Sequence, residues 1–205
     1  MESRKCVNYL LLAKRSTYYI QIMKAIKEIQ KESYKTLKDK FGYKNVMQAP
    51  KLVKVVLSTG VGKVTDKKRK EFIGERLSKI AGQKSANRSA KKSIATFKVR
   101  QGDNIGFQVT LRGDRMFAFL DKLIHVALPR TKDFRGLKSN SIDAMGNVTF
   151  GIKEHNIFPE VADEDIKDVF SFAFTVVTTS KKKEETKAFL ELLGFPFEKP
   201  KVAKK

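Results

Sequence analysis

At 205 residues with 41% hydrophobic content, the chain is long enough for one packed core and too apolar to be disordered throughout. Forty-three Lys and Arg against 22 Asp and Glu leave a formal charge of +21, which would repel itself in one small domain unless a polyanion neutralised it. Membrane insertion and secretion are excluded by pattern: no apolar run reaches spanning length, Tyr9–Ala13 is shorter than a signal core, and a lone Cys6 forms no internal disulfide.

Residues 1–22 mix apolar and basic side chains with no clean period. Met23 then opens Met-Lys-Ala-Ile-Lys-Glu, which reads as the natural start of a helix. Translation is therefore expected to begin there, with 1–22 an extension outside the domain; a native peptide containing Cys6 would refute that. A single domain is expected over 23–198, followed by a basic disordered tail over 199–205. Ile26, Ile29, Tyr34, Leu37 and Phe41 recur at helical spacing, and Gly42 supplies the left-handed stop.

Pro50 precedes Leu52–Leu57, a β-branched run of strand length, and Gly60 with Gly62 makes a turn. Thr65 or Asp66 can cap a helix running to Ala81, with Phe72, Ile73, Leu77 and Ile80 inward and Gly82 ending it. In Phe107–Arg112 the apolar Phe107, Val109 and Leu111 alternate with Gln108, Thr110 and Arg112, so one face packs while the other offers hydrogen-bonding groups. Asp114 is expected to cap a helix that buries Met116, Phe119, Leu120, Leu123, Ile124 and Ala127 until Pro129 breaks it.

Two further strands are expected at Val148–Ile152 and Phe170–Thr178, the second with Phe170, Phe172, Phe174 and Val176 on one side. Ser180 then begins a last helix, with Phe189, Leu192 and Leu193 inward and Gly194 and Pro196 closing it. Helices interleaved with strands, without a regular βαβ rhythm, imply an α+β fold. Its expected form is a single antiparallel (or mixed) sheet with helices on one face, plus an N-terminal helix. The other sheet face stays free, as in several RNA-binding modules.

The stretch Lys84–Arg115 holds Lys84, Arg88, Lys91, Lys92, Lys98, Arg100, Arg112 and Arg115 against Asp103 and Asp114, with Phe97 interleaved. A solvated charged face is the bland alternative, but it leaves the charge of +21 unexplained, so phosphate contact is expected. Gln83, Asn104, Gln108 and Thr110 are the residue types that read base edges or sugars. Thr59–Thr65 superficially resembles a phosphate loop. It lacks the first Gly of the nucleotide-hydrolysis version, where Leu57 stands, and the hydroxyl after Lys63, where Val64 stands. His125 and His155 have no metal-ligand spacing to each other or to Cys6. Glu160, Asp163, Glu164, Asp165 and Asp168 read as a solvated turn, or as a surface for a basic protein, sooner than as a metal site. No catalytic residue, metal, cofactor, small-molecule substrate or membrane partner is expected.

Ten stretches carry a resemblance to a known family. They are Phe41–Pro50, Gly60-Val61-Gly62, Gly82-Gln83-Lys84, Lys91–Ala95, Val109–Gly113, Leu128-Pro129-Arg130, Asp133–Leu137, Gly151–Glu154, Ile157–Glu160 and Pro196-Phe197. From Phe41 to Phe197 the chain resembles the bacterial-type large ribosomal subunit protein five, the family that binds 5S rRNA. The resemblance implies a structural role in the cytoplasmic ribosome, in the central protuberance. Its implied partners are 5S rRNA, 23S-type rRNA, P-site tRNA, and protein neighbours in the small-subunit head and the protuberance.

Carried over by position, the family's 5S contacts fall on Ser58, Gln83 and Thr110, joined by Lys84, Lys91, Lys92, Gln108 and Arg112 from the residue reading. The loop reaching the P-site tRNA corresponds to Thr96–Gly106, with Thr96, Phe97, Lys98, Arg100 and Gln101 as its contacts. Two departures stand out: Ser58-Thr59 replaces the family's usual Asn and Met, and Met145 stands where Arg is common. The rival readings are an RNA-modifying enzyme, which would need convergent acid and base groups, and a general RNA chaperone binding by charge alone. The chaperone would lose all RNA discrimination in moderate salt.

Overall fold

The computed structural model of the chain describes residues 25–64, 66–132, 134–161 and 169–198. The expected extension 1–22, the tail 199–205 and the acidic residues Asp163, Glu164, Asp165 and Asp168 lie outside them.

Five strands form one sheet: β1 (Leu52–Gly60), β2 (Ala86–Ser89), β3 (Asn104–Leu111), β4 (Val148–Ile152) and β5 (Phe172–Thr178). Their spatial order is β2-β3-β1-β5-β4, and every neighbouring pair is antiparallel. Alternation in the sequence becomes two unlike faces. Val55, Leu57, Val109, Leu111, Phe150, Phe172, Phe174 and Val176 all point into one core. Four helices supply its other wall: α1 (Ile26–Phe41), α2 (Lys67–Ala81), α3 (Gly113–Lys122) and α4 (Lys183–Leu192). The α+β reading with an N-terminal helix and a one-sided sheet describes this architecture.

Local chemistry sets most of the boundaries. Gly42 at φ +67 and Gly82 at φ +64 stop α1 and α2 in the left-handed conformation. Asp66 accepts from the Lys68 N–H at 3.0 Å, which settles the cap of α2 between the two expected candidates. Phe72 is only half-buried, and Gly74 takes its place on the inner stripe of α2.

Three expectations need correction. Asp114 sits inside the first turn of α3 and pairs with Lys27 at 2.7 Å, while the cap position is Arg112 with no side-chain hydrogen bond. Pro129 does not end that helix. Leu123–Ala127 widen into a π turn, closed by the Leu128 N–H on the Leu123 carbonyl, and a last turn, Leu128–Arg130, accommodates the proline. Proline lacks the N–H that an ordinary turn would require at that point, and it occupies the start of the last turn, where that donor is not missed. Ser180 lies ahead of α4 and donates to Glu185 at 2.9 Å; the helix begins at Lys183, and it buries Leu190 more fully than Leu192.

Candidate nucleic-acid interface

Because the core claims one set of alternating residues, the opposite set is displayed together. Ser58 on β1 stands beside Gln108 on β3 and Ala173 on β5, and Val56 stands beside Thr110 and Thr175. The rows continue outward, with Ala86 beside Gln108, Thr149 beside Thr175 and Gly151 beside Ala173. These residues are exposed or half-buried. No strand of the sheet contains an Asp or Glu. The face is therefore polar, with no fixed negative charge to oppose a polyanion.

Cations gather at its β2–β3 side. Arg88 lies across the face and donates from Nε to Gln108 Oε1 at 2.6 Å. Arg112 continues the extended backbone of β3 as an exposed residue after buried Leu111. Gln83, one residue past the left-handed Gly82, is held at the end of β3. Its Nε2 donates to the Thr110 carbonyl and its Oε1 accepts from Arg115, both at 3.5 Å. Both contacts are at the long limit of a hydrogen bond, so the amide is positioned without being saturated. Ser58, Gln83, Gln108, Thr110 and Arg112 thus converge, with exposed Lys84 next to Gln83. Thr59 turns the other way: it is buried, and its hydroxyl donates to the Ser171 carbonyl at 2.8 Å, which satisfies a polar group at a core position.

Lys91 and Lys92 leave this face. They belong to a hairpin beyond the ends of β2 and β3, tied at its root by Ala90 N–H to Asp103 O at 2.9 Å. The segment Thr96–Arg100, a loop by the family resemblance, is the tip of this hairpin. Ala95–Phe97 form a 3₁₀ turn, closed by Lys98 N–H to Ala95 O at 3.0 Å, between the paired Ile94 and Val99. Lys98 follows at φ +52, the one described non-glycine residue in the left-handed region. At this tip Phe97 is 71% exposed, surrounded by exposed Thr96, Lys98, Arg100 and Gln101. The projecting loop is shorter than the resemblance implies, since Asn104–Gly106 already belong to β3. An exposed ring among cations can stack on a base while its neighbours meet phosphates.

Groups whose residue types suggest other chemistry are structurally occupied. The Val61 N–H at the Gly60–Gly62 turn bonds the Ile105 carbonyl at 2.9 Å, extending the sheet in place of cradling a phosphate. His125 Nδ1 meets the Asp121 backbone carbonyl at 3.0 Å, not its carboxylate as a surface pair would require. The carboxylate instead accepts the Ile26 N–H at the start of α1, at 3.1 Å. His155 is buried against the Phe170 ring, centroids 4.3 Å apart, and burial followed by the Arg76 charge holds its imidazole below the ordinary value. Glu160 pairs with Lys122 at 2.6 Å. Among the described residues no cluster of His, Cys, Asp or Glu could hold a metal, and no helix is long and apolar enough to cross a membrane.

The residue reading stopped at β3 and missed the far half of the same face, on β5 and β4. The signal was present in Ala173 and Thr175 alternating with the buried Phe172 and Phe174, and in Thr149 and Gly151 alternating with Phe150.

Residues 45–100 match the family described as ribosomal protein L5, and residues 104–197 match the model that describes the C-terminus of the same ribosomal family. A protein of Ureaplasma parvum serovar 3 named large ribosomal subunit protein uL5 is 50% identical over 179 residues, covering 86% of this chain and 97% of its own length. Proteins of the same name from Thermoanaerobacter sp. (strain X514) and Flavobacterium johnsoniae are 49% and 48% identical, covering 83% and 82% of this chain and 96% of each relative.

Proposed function

The chain belongs to the ribosomal protein L5 family, and on that premise we propose that it is a non-catalytic structural component of the large ribosomal subunit whose open sheet face binds 5S rRNA. The observation that carries this reading is the convergence of Ser58, Gln83, Gln108, Thr110 and Arg112 on a face without an acidic residue. Neutral amides and hydroxyls there address riboses and base edges, while Arg88, Arg112 and Lys84 meet phosphates. Ser58 replaces a longer, bidentate amide with a hydroxyl, so its RNA contact is weaker or bridged by water.

The hairpin tip carrying Thr96, Phe97, Lys98, Arg100 and Gln101 reaches away from this face toward P-site tRNA. Its exposed ring and cations suit a tRNA surface better than a protein core. The rest of the basic surface meets 23S-type rRNA and neighbouring proteins of the central protuberance. The turn at Asp143–Asn147 faces the small-subunit head, with Met145 70% exposed and offering an apolar contact where Arg is common in the family.

Binding to 5S rRNA, compared with a tRNA of similar length across a salt titration, tests this reading. A 5S preference that survives physiological salt and falls in both Gln83→Ala and Thr110→Ala is expected. Equal binding to both RNAs, lost together with salt and indifferent to the substitutions, would leave a charge-driven RNA chaperone.

A further inference from the structure

Two exposed thioethers share one end of the sheet. β1 begins at Leu52 opposite Thr178 on β5, and the Gly146 carbonyl accepts from the Thr178 hydroxyl at 2.8 Å. Met47, just ahead of β1, and Met145, next to Gly146, therefore lie at that end, away from the paired Gly60 and Gly106 where the hairpin projects. Met47 is 76% exposed and Met145 is 70% exposed, whereas Met116 on α3 is 2% exposed.

Hydrogen bonds hold both residues in place. The Met47 N–H donates to Asn45 Oδ1 at 3.1 Å within the 3₁₀ turn Val46–Gln48, and Gln48 Oε1 accepts the Lys44 N–H at 2.9 Å. At the other turn the Gly146 N–H donates to the Asp143 carbonyl at 3.1 Å. Lys51 is tied to Thr179 on both sides. Its N–H donates to the hydroxyl at 2.9 Å, and its carbonyl accepts the Thr179 N–H at 3.0 Å. From that anchor the Lys51 ammonium donates to Met47 Sδ at 3.5 Å. A thioether sulfur is a weak acceptor, and oxidation at one or the other of its two lone pairs yields opposite sulfoxide epimers. The ammonium engages one of them, so the two are no longer equivalent to an oxidant.

We propose that Met47 and Met145 are peroxide-sensitive modification sites of the free chain, and that Lys51 dictates which sulfoxide epimer forms at Met47. The sulfur lone pair attacks one oxygen of hydrogen peroxide, the O–O bond breaks, and the transferred oxygen gives its proton to the departing hydroxide. Sulfur loses two electrons and becomes the sulfoxide; the peroxide is reduced to water. Both sulfurs lie outside the core, so the oxidised chain stays folded while this end of the sheet turns from apolar to polar. Thiol-dependent sulfoxide reductases, one for each epimer, reverse the change.

The test treats the full-length protein with hydrogen peroxide and maps its peptides by mass, before and after digestion with a reductase specific for each epimer. Met47 and Met145 are expected to gain an oxygen at least about tenfold faster than Met116, with the thermal melt unchanged. At Met47 one epimer should exceed the other about three- to tenfold, the factor that one hydrogen bond supplies, and Met145 should give both in about equal amounts. Lys51→Ala should abolish the excess at Met47, and Lys51→Arg, which keeps a cationic donor, should retain it. Oxidation of Met116 at a matching rate, or a melt lowered by oxidation of the other two, would overturn the assignment of the sites. Equal epimers at Met47 in the wild-type protein, or an excess that survives Lys51→Ala, would overturn the role of Lys51.

Discussion

Gly74→Ala sets two effects against each other on the strand that carries Gln108 and Thr110. Replacing glycine inside α2 by alanine gains about 1 kcal/mol of helix propensity. A Cβ there would lie 2.8 Å from Phe107 Cε1 and 3.0 Å from its Cζ. The ring is buried in the core, on the inner face of β3, so it has no solvent into which to swing. Overpacking of this kind costs about 1–3 kcal/mol, and a contact that short falls in the upper part of the range. The expected net loss is about 1–2 kcal/mol, a fall in melting temperature of roughly 2–8 °C. Urea unfolding of Gly74→Ala, Phe107→Leu and the double variant measures it. The smaller Leu side chain should recover part of the alanine penalty, giving a favourable coupling of about 1 kcal/mol. A Gly74→Ala protein more stable than wild type, or a cycle with no coupling, would refute the steric account.

Tyr43 donates to Glu185 and joins the end of α1 to the start of α4, so Tyr43→Phe should cost about 2 kcal/mol in urea unfolding. Burial, followed by the Glu185 carboxylate, holds the Tyr43 phenol above its ordinary value, and an alkaline absorbance titration should show one tyrosine lagging the rest. Burial depresses the His155 pKa in the folded state, so the unfolded chain binds that proton more readily. Its contribution to stability is complete above about pH 6.5 and is lost as pH falls from there through the folded pKa. His155→Leu should flatten that part of the pH profile of unfolding, and an unchanged profile would contradict it. At Gly146, with φ +73, a Cβ would strike the Ser180 carbonyl oxygen and lie 2.7 Å from Thr186 Oγ1. Gly146→Ala should therefore cost about 3 kcal/mol or more, measurable by thermal melting.

Most of the elements were legible because their signals are local. Strict alternation in Phe107–Leu111 and in Phe172–Val176 states which side chains face the core, and Gly42 and Gly82 end helices for a backbone reason that needs no tertiary context. Where sequence reasoning failed, a non-local partner had taken over. Asp114 is a competent capping residue on its own, yet Lys27 from α1 takes its carboxylate, and Asp121 is claimed by the backbone of Ile26. Pro129 breaks an α-helix but not one that has first widened into a π turn, a choice made by packing of Leu123 and Ala127 in the core. The β1–β3 half of the candidate site was legible from residue type. On β5 and β4 the alternation marked the outward residues, but not that they adjoin β1, which is fixed by pairing over more than a hundred residues of sequence.

Photocrosslinking tests most directly whether 5S rRNA lies on the open sheet face. A benzophenone side chain is installed in place of Ser58 on that face, or in place of the exposed Glu75 on α2 across the sheet, and each protein is irradiated with 5S rRNA. Efficient 5S adducts from position 58 and few from position 75 are the expected result. The reverse pattern, or equal yields from both positions, would contradict the account.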